Sequence, residues 1–382
     1  MSAPIVILGT GLAGTSVARE LRKLNPDIPV TLVSADHGGF YSKPMLSNAL
    51  AQNKSPAQLL VTPAEKLAEQ LKVTLRAHTH VTGIDTAAKR LVTDQGDIEY
   101  GALVLAVGAN PIRLPIQGDG AADVLSVNSL NDYTVFRERL QAGMRVAILG
   151  AGLIGCEFAN DLALAGYTVS VFDLAKQPLG RLLPPGAAAF LEQKLTASGI
   201  AFHFGTSIAT IHKRGNAYQL VSAEGHEFEA DLVLSAVGLV PHTALAKAAG
   251  LEVKRGIVVN RLLQTSAPDV YALGDCAEVE GLVLPFVLPI MNAARALAKT
   301  LNGEATALVY PAMPVGVKTP ACPTVVSPPA TGADGNWEEE AIENGLRALF
   351  KAPDGTLLGA ALLGEAAKEK QTLAAQLPPV LG

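Results

Sequence analysis

Short apolar runs alternate along this chain with longer stretches in which apolar residues recur every three or four positions, and the alternation occurs twice. Ile5-Val6-Ile7-Leu8 is followed by a helical pattern over residues 11–25 and a second apolar run at 30–34, which predicts a strand–helix–strand unit. A loop and helix are expected over 40–51, with further strands near Val73 and His80. The run at 103–108 is apolar throughout and bounded by turn residues, so it reads as a parallel strand buried on both faces. After a Pro/Gly-rich stretch at 110–120 and a helix over 130–142, the plan restarts at Arg145 and closes with a second apolar run, 232–238, which also ends in Val-Gly. A strand at 269–273 and a helix over 289–301 follow. In 312–382 the turn pairs Asp334-Gly335 and Asp354-Gly355 separate short strand-like runs, predicting a small α+β or β-rich module.

The repeated plan predicts an α/β fold with two doubly wound, Rossmann-like domains and a small C-terminal α+β domain. Because the strand at 269–273 reads as a return to the first unit, the expected divisions are 1–112 with 244–311, then 113–243, then 312–382. A chain of 382 residues, 49% hydrophobic and 17% charged, suits well-buried domains of this kind. The net charge of −5 argues against nucleic acid as a partner. Apolar runs are interrupted before the roughly 18 residues of a membrane span, and a first strand at Ile5 leaves no room for a leader, so a cytoplasmic protein is expected. Cys156, Cys276 and Cys322 form no C-x-x-C pair, and the seven histidines show no metal-ligand spacing. No metal site is expected.

Two glycine fingerprints carry the chemistry. Gly9-Thr10-Gly11-Leu12-Ala13-Gly14 and Gly150-Ala151-Gly152-Leu153-Ile154-Gly155 each link an apolar strand to a helix. In that context the first glycine makes the tight turn, the second admits pyrophosphate to the backbone, and the third lets helix pack on strand. The phosphate then meets free N–H groups at a helix N-terminus. Two such sites in one chain predict two dinucleotides and electron transfer. Asp173 ends the strand after the second fingerprint, where a carboxylate accepts ribose hydroxyls and repels a 2′-phosphate, which selects NADH. Lys176 and Arg181 nearby leave NADPH as the lesser alternative. In the first half Ser34 stands where Asp173 does, with Asp36 two residues on, so Ser34 or local backbone is the expected contact there.

The fingerprints, Ala106-Val107-Gly108, Glu157, Gly238-Leu239-Val240-Pro241, and Thr265 through Gly274-Asp275 together resemble the FAD-dependent pyridine nucleotide reductases that hold two dinucleotides, a glutathione-reductase-like architecture. The resemblance spans about residues 5–301. It implies FAD on the first fingerprint, at Gly9, Gly11, Leu12, Ala13 and Gly14, with Ser34, Ala35, Val81, Ala106 and Gly108 along its length and Asp275 on the ribityl chain. NADH falls on the second, at Gly150, Gly152, Leu153, Ile154 and Gly155, with Glu157, Asp173 and Gly238. The runs Tyr41-Ser42-Lys43-Pro44-Met45-Leu46-Ser47 and Pro314 through Lys318-Thr319-Pro320 are similar to those of rubredoxin reductases and their nitric-oxide-pathway relatives. That likeness implies Lys43 and Pro44 beside the flavin, Lys43 near Glu157, Lys318 at the pyrimidine side of the ring, and a helix opening at Val287 behind it. Lys43, Glu157 and Lys318 are the implied catalytic residues. Positive charge there favours the reduced ring.

Disulfide reductases of this kind relay electrons through a cysteine pair, which residues 43–50 lack. Flavin is therefore expected to release electrons singly to an external carrier. By resemblance that carrier is rubredoxin, in alkane hydroxylation or oxygen defence. A [2Fe–2S] ferredoxin or a flavorubredoxin is the alternative acceptor, and a flavin-based redox sensor with slow turnover the alternative role. The short tail suggests a monomer with an accessible flavin edge, and Lys43, Arg295, Lys299 and Lys318 are candidate docking cations for an acidic carrier.

Overall fold

The computed structural model describes residues 3–382. Its apolar runs assemble into two parallel sheets. In the first, Ile5–Leu8 lies between Val30–Val33 and Ala102–Leu105, with Thr74–Arg76 outside the former and Val270–Ala272 outside the latter. Val270–Ala272, which follows the whole second unit in sequence, thus completes the sheet that Ile5–Leu8 begins. In the second, Arg145–Leu149 lies between Thr168–Asp173 and Leu232–Ser235, and Ile200–Phe204 forms the far edge. Each sheet reverses its strand order at the strand that feeds a glycine fingerprint, which opens a crevice at its carboxyl end. A three-stranded antiparallel meander follows in each half, Val81–Asp85 to Ile98–Glu99 and Ile208–Arg214 to Glu227–Ala230.

The chain leaves the first unit through Ala109–Pro111 and returns through Leu239–Pro241, and these two crossings pair as an antiparallel ribbon. We propose to divide the chain there. The C-terminal part is a five-stranded antiparallel sheet, ordered Val315–Val317, Thr324–Ser327, Leu357–Gly364, Gly345–Lys351, Asn336–Ile342.

The helix expected over 40–51 is replaced by a two-residue strand, Phe40–Tyr41, and a 3-10 turn, Lys43–Asn48. Met45 N closes on Ser42 O at 2.9 Å, and the following Leu50 and Ala51 N–H groups are taken by the side chain of Asp161.

Two large cores result. One lies around the first sheet, under the helices Leu12–Leu24 and Val287–Leu301 that pack on each other. The second joins parts distant in sequence: Leu46, Ala49, Leu50 and Leu59, the helices Leu153–Leu164 and Pro185–Ala197, and Val326, Ala348, Ala361 and Leu363 of the C-terminal sheet. The C-terminal sheet therefore shares its core with the second unit. Glu339 also reaches from this sheet to the start of the Pro185–Ala197 helix, accepting Gly186 N at 3.2 Å and Ala187 N at 2.6 Å. Pro184 offers no side-chain cap and the first turn has no acid, so the cap comes from another part of the chain. Replacing Glu339 by Ala should lower stability by about 1 kcal/mol, read as a lower urea midpoint with unchanged slope. A wild-type midpoint would show that the helix end is satisfied by water instead.

Candidate active site

Both glycine loops hang from the central strand of their sheet in the same way. Gly9 N donates to Val33 O (2.8 Å) and Gly150 N to Phe172 O (2.7 Å), while Ala106 N and Ala236 N bond to Leu8 O and Leu149 O. A Cβ on Gly14 would lie 1.9 Å from Gly9 O, and one on Gly155 1.9 Å from Gly150 O, so only glycine lets each helix start this close to its loop. At Gly11 and Gly152 a Cβ would meet nothing within 4 Å. Those edges are open, as backbone that receives a ligand must be. The helices Leu12–Leu24 and Leu153–Leu164 begin there with no side-chain cap and no acid in the first turn. Leu12, Ala13, Leu153 and Ile154 supply the first-turn N–H groups, and each half thus presents unsatisfied donors and a positive helix end to an anion.

The strand ends differ between the halves. Asp173 accepts Ala151 N on Oδ2 (2.5 Å) and Ala175 N on Oδ1 (2.7 Å), tying the glycine loop to its strand while each oxygen keeps a further lone pair. In the first half Ser34 is only 6% exposed. Its hydroxyl accepts from Thr10 Oγ1 (3.0 Å) and donates to Asp36 Oδ1 (2.6 Å). Ser34, expected with the local backbone as the contact, is buried with its hydroxyl bonded to Asp36, whose half-buried carboxylate also accepts Gly38 N (3.0 Å). Exposed Ala35 lies between them, and Thr79 N on Ser34 O (2.8 Å) brings the start of Val81–Asp85 to this edge.

A third uncapped helix end, at Val287, adjoins the first. Gly274 has φ +79°, and a Cβ there would lie 3.0 Å from that of Ala13. The turn Gly274–Cys276 therefore nests against the first glycine helix and sets Asp275 in the crevice. Desolvation pushes the Asp275 carboxyl up against the opposing pull of Lys43, and desolvation pushes the Lys43 ammonium down against the pull of Asp275, Asp132 and Asp36. Lys43 is nevertheless open to water. A side chain both reachable and desolvated lines a concavity, and Pro44 continues its wall. Gly108 and Gly238 stand at the entry to the two crossings, each with positive φ.

Glu157 is 0% exposed. Its Oε2 accepts Ser47 Oγ (2.6 Å) and pairs with Lys318 Nζ, and its Oε1 accepts Lys318 N (2.9 Å). The expected neighbour, Lys43, makes no ion pair among the described residues. The Lys318 ammonium has taken the acid, because the C-terminal sheet lays Lys318 directly over the second glycine helix. Lys318 is consequently neutralised, and Lys299 pairs with Glu304 (3.3 Å), so two of the four expected docking cations are spent internally. One turn beyond Glu157, Asn160 Oδ1 accepts Ala321 N (3.1 Å) and Asp161 accepts Leu50 N and Ala51 N (2.9 Å each). Ser47, Asn160 and Asp161 were not singled out from the sequence. For Asn160 and Asp161 the available signal was their helical spacing with Glu157 in an otherwise apolar helix.

These residues fit a dinucleotide in each half: open glycine edges, uncapped helix ends, a carboxylate at each strand end, and a desolvated cation in the first crevice. The three cysteines are buried and unpaired, with burial pushing Cys156 up to about 12, Cys276 to about 11 and Cys322 upward. None is a thiolate relay.

Residues 3–300 match the model of the pyridine nucleotide-disulphide oxidoreductase family. The chain belongs to that family. Within it, the pair of cysteines implied by the family's name is absent here. Residues 307–377 match a rubredoxin binding C-terminal domain. The rubredoxin-NAD(+) reductase of Alcanivorax borkumensis is 49% identical, with 99% of each chain covered, and that of Acinetobacter baylyi 50% identical, with 99% of this chain and 98% of the relative covered. A solved ferredoxin reductase from Rhodopseudomonas palustris superposes with a TM-score of 0.89 at 28% identity, covering 99% of this chain and 96% of the other.

The two kinds of glycine separate by mutation. Gly11→Ala should leave the circular dichroism and denaturation midpoint unchanged while weakening FAD retention at least ten-fold. Gly14→Ala, whose Cβ meets backbone, should unfold or fail to accumulate. Gly11→Ala binding FAD normally would place the cofactor elsewhere.

Proposed function

We propose that this chain is an NADH-dependent flavoprotein that reduces rubredoxin. The observation that carries the reading is the C-terminal sheet. The stretch that matches a rubredoxin-binding domain is pinned, through Lys318 and Ala321, to the helix that opens the second dinucleotide site. The relatives at about half identity over the whole chain are of the same kind. Carrier platform and nucleotide site are thus parts of one device.

The first glycine loop and the Leu12–Leu24 helix end would hold the FAD pyrophosphate, Asp36 its ribose and Asp275 its ribityl chain. The second loop and Asp173 hold NADH and exclude a 2′-phosphate. When bound, FAD accepts hydride from NADH and yields the electrons one at a time. Lys43 and the uncapped Val287 helix end would supply the positive potential that this transfer of negative charge requires. Glu157, held by Lys318 and Ser47, fixes the segment that carries Lys43. The three thiols, buried and unpaired, offer no relay beside the first crevice. No helix among the described residues is long and apolar enough to cross a membrane, and three unpaired thiols suit a reducing compartment, in keeping with the cytoplasm.

The test is stopped-flow mixing of the FAD-loaded protein with NADH, then with oxidised rubredoxin. Rapid bleaching followed by rapid reoxidation is expected, with [2Fe–2S] ferredoxin much slower. Rapid bleaching with slow return for every carrier would favour a redox sensor. Lys43 adds a pH dependence. Desolvation lowers its pKa, so the cation is lost as pH rises through a value below the ordinary 10.5. The bleaching rate should fall across that window, and Lys43→Met should slow bleaching, abolish the fall and leave FAD bound. Unchanged bleaching by that variant would remove Lys43 from hydride transfer.

A further inference from the structure

We propose that Ser47 is a positioning residue of the redox site, acting through Glu157. This deepens the reading above and rests on it.

Ser47 is 2% exposed and lies on the same 3-10 turn as Lys43, four residues on. Its hydroxyl has one proton, and the 2.6 Å bond to Glu157 Oε2 takes it; the other acceptor within reach, Pro44 O, is distant at 3.4 Å. That bond is the side-chain link between the turn carrying Lys43 and the Glu157 carboxylate. Lys318 approaches Glu157 from the C-terminal sheet, so three parts of the chain meet on one carboxylate. Without Ser47, Oε1 keeps Lys318 N and Oε2 keeps the Lys318 ammonium, so the carboxylate stays on the C-terminal segment and loses its side-chain tie to the turn that carries Lys43.

Ser47 is not needed merely to hold the segment. Leu46, Ala49 and Leu50 are buried in the shared core, and Asp161 takes the N–H groups of Leu50 and Ala51. Replacing a serine by alanine removes one oxygen and leaves those anchors. The expected consequence is a folded, FAD-binding protein in which Glu157 and Lys43 no longer share one geometry. Small displacements of positioned groups cost up to about a hundred-fold in rate.

The test is a double-mutant cycle on the FAD-loaded protein: wild type, S47A, E157Q and S47A/E157Q. Two quantities are read for each, the limiting rate of flavin bleaching by NADH and the flavin midpoint potential at equilibrium with a reference dye, which needs no turnover. S47A alone should slow bleaching about ten-fold or more, leave NADH affinity within two-fold, and shift the potential. Introduced into E157Q, it should change neither quantity further, because a residue acting through Glu157 has nothing left to act through. Equal effects of S47A in both backgrounds, no effect in either, or loss of FAD from S47A would overturn the positioning role. If NADH fails to bleach wild type, the reductase reading falls, and the equilibrium potentials still decide Ser47.

Discussion

A carboxylate with no access to water must be paired and hydrogen-bonded where it sits, and Glu157 imposes that constraint on the whole molecule. Removing one partner of a buried ion pair typically costs about 3–5 kcal/mol, because the remaining charge is left uncompensated. Glu157 draws its partners from both sides. Ser47 comes from the segment between the Val30–Val33 and Thr74–Arg76 strands of the first sheet, Lys318 from the C-terminal sheet, and the acid itself from the helix of the second fingerprint. Asn160 and Asp161 repeat the arrangement one turn on, Asn160 toward Ala321 and Asp161 toward Leu50 and Ala51. One helix face thus organises three regions that are remote in sequence.

This arrangement explains why the electron path can dispense with cysteine. In a family named for its disulphide, the turn that begins at Lys43 contains no thiol, and the three thiols elsewhere are buried and held protonated. The chain places a lysine in the first crevice and secures the lysine's segment with carboxylates. The C-terminal sheet is bound into the same core as the second unit, so the platform for a carrier is carried on the nucleotide half rather than hinged beside it. Glu339, capping the Pro185–Ala197 helix, adds a second tie between them.

Local signals made much of this legible. The strands at Ile5, Arg145 and Leu232 and both glycine turns follow from apolar runs and steric need; the structure returns the first two within a residue and ends the third at Ser235, three residues before the expected end. The return of Val270–Ala272 to the first sheet was readable because the two halves share a plan. What sequence could not supply was pairing across the chain. Lys43 was the lysine implied near Glu157 and Lys318 the one implied at the pyrimidine side of the ring, and only the packing of the C-terminal sheet brings Lys318 onto the acid. Ser34 aligns with Asp173, yet its hydroxyl turns inward because Asp36 is within reach. The 3-10 turn at Lys43 reads as helix because Asp161, which takes the N–H groups that follow it, lies 110 residues away from Ala51.

The most direct measurement is amide hydrogen exchange by mass spectrometry on wild type and Asp161→Asn. If one helix face holds the three regions together, peptides covering residues 43–51 and 318–323 should open with the same free energy in wild type and be accelerated together by the substitution. Acceleration confined to the amides of Leu50 and Ala51, with 318–323 unchanged, would show that the ties are independent and that the buried stripe does not couple them.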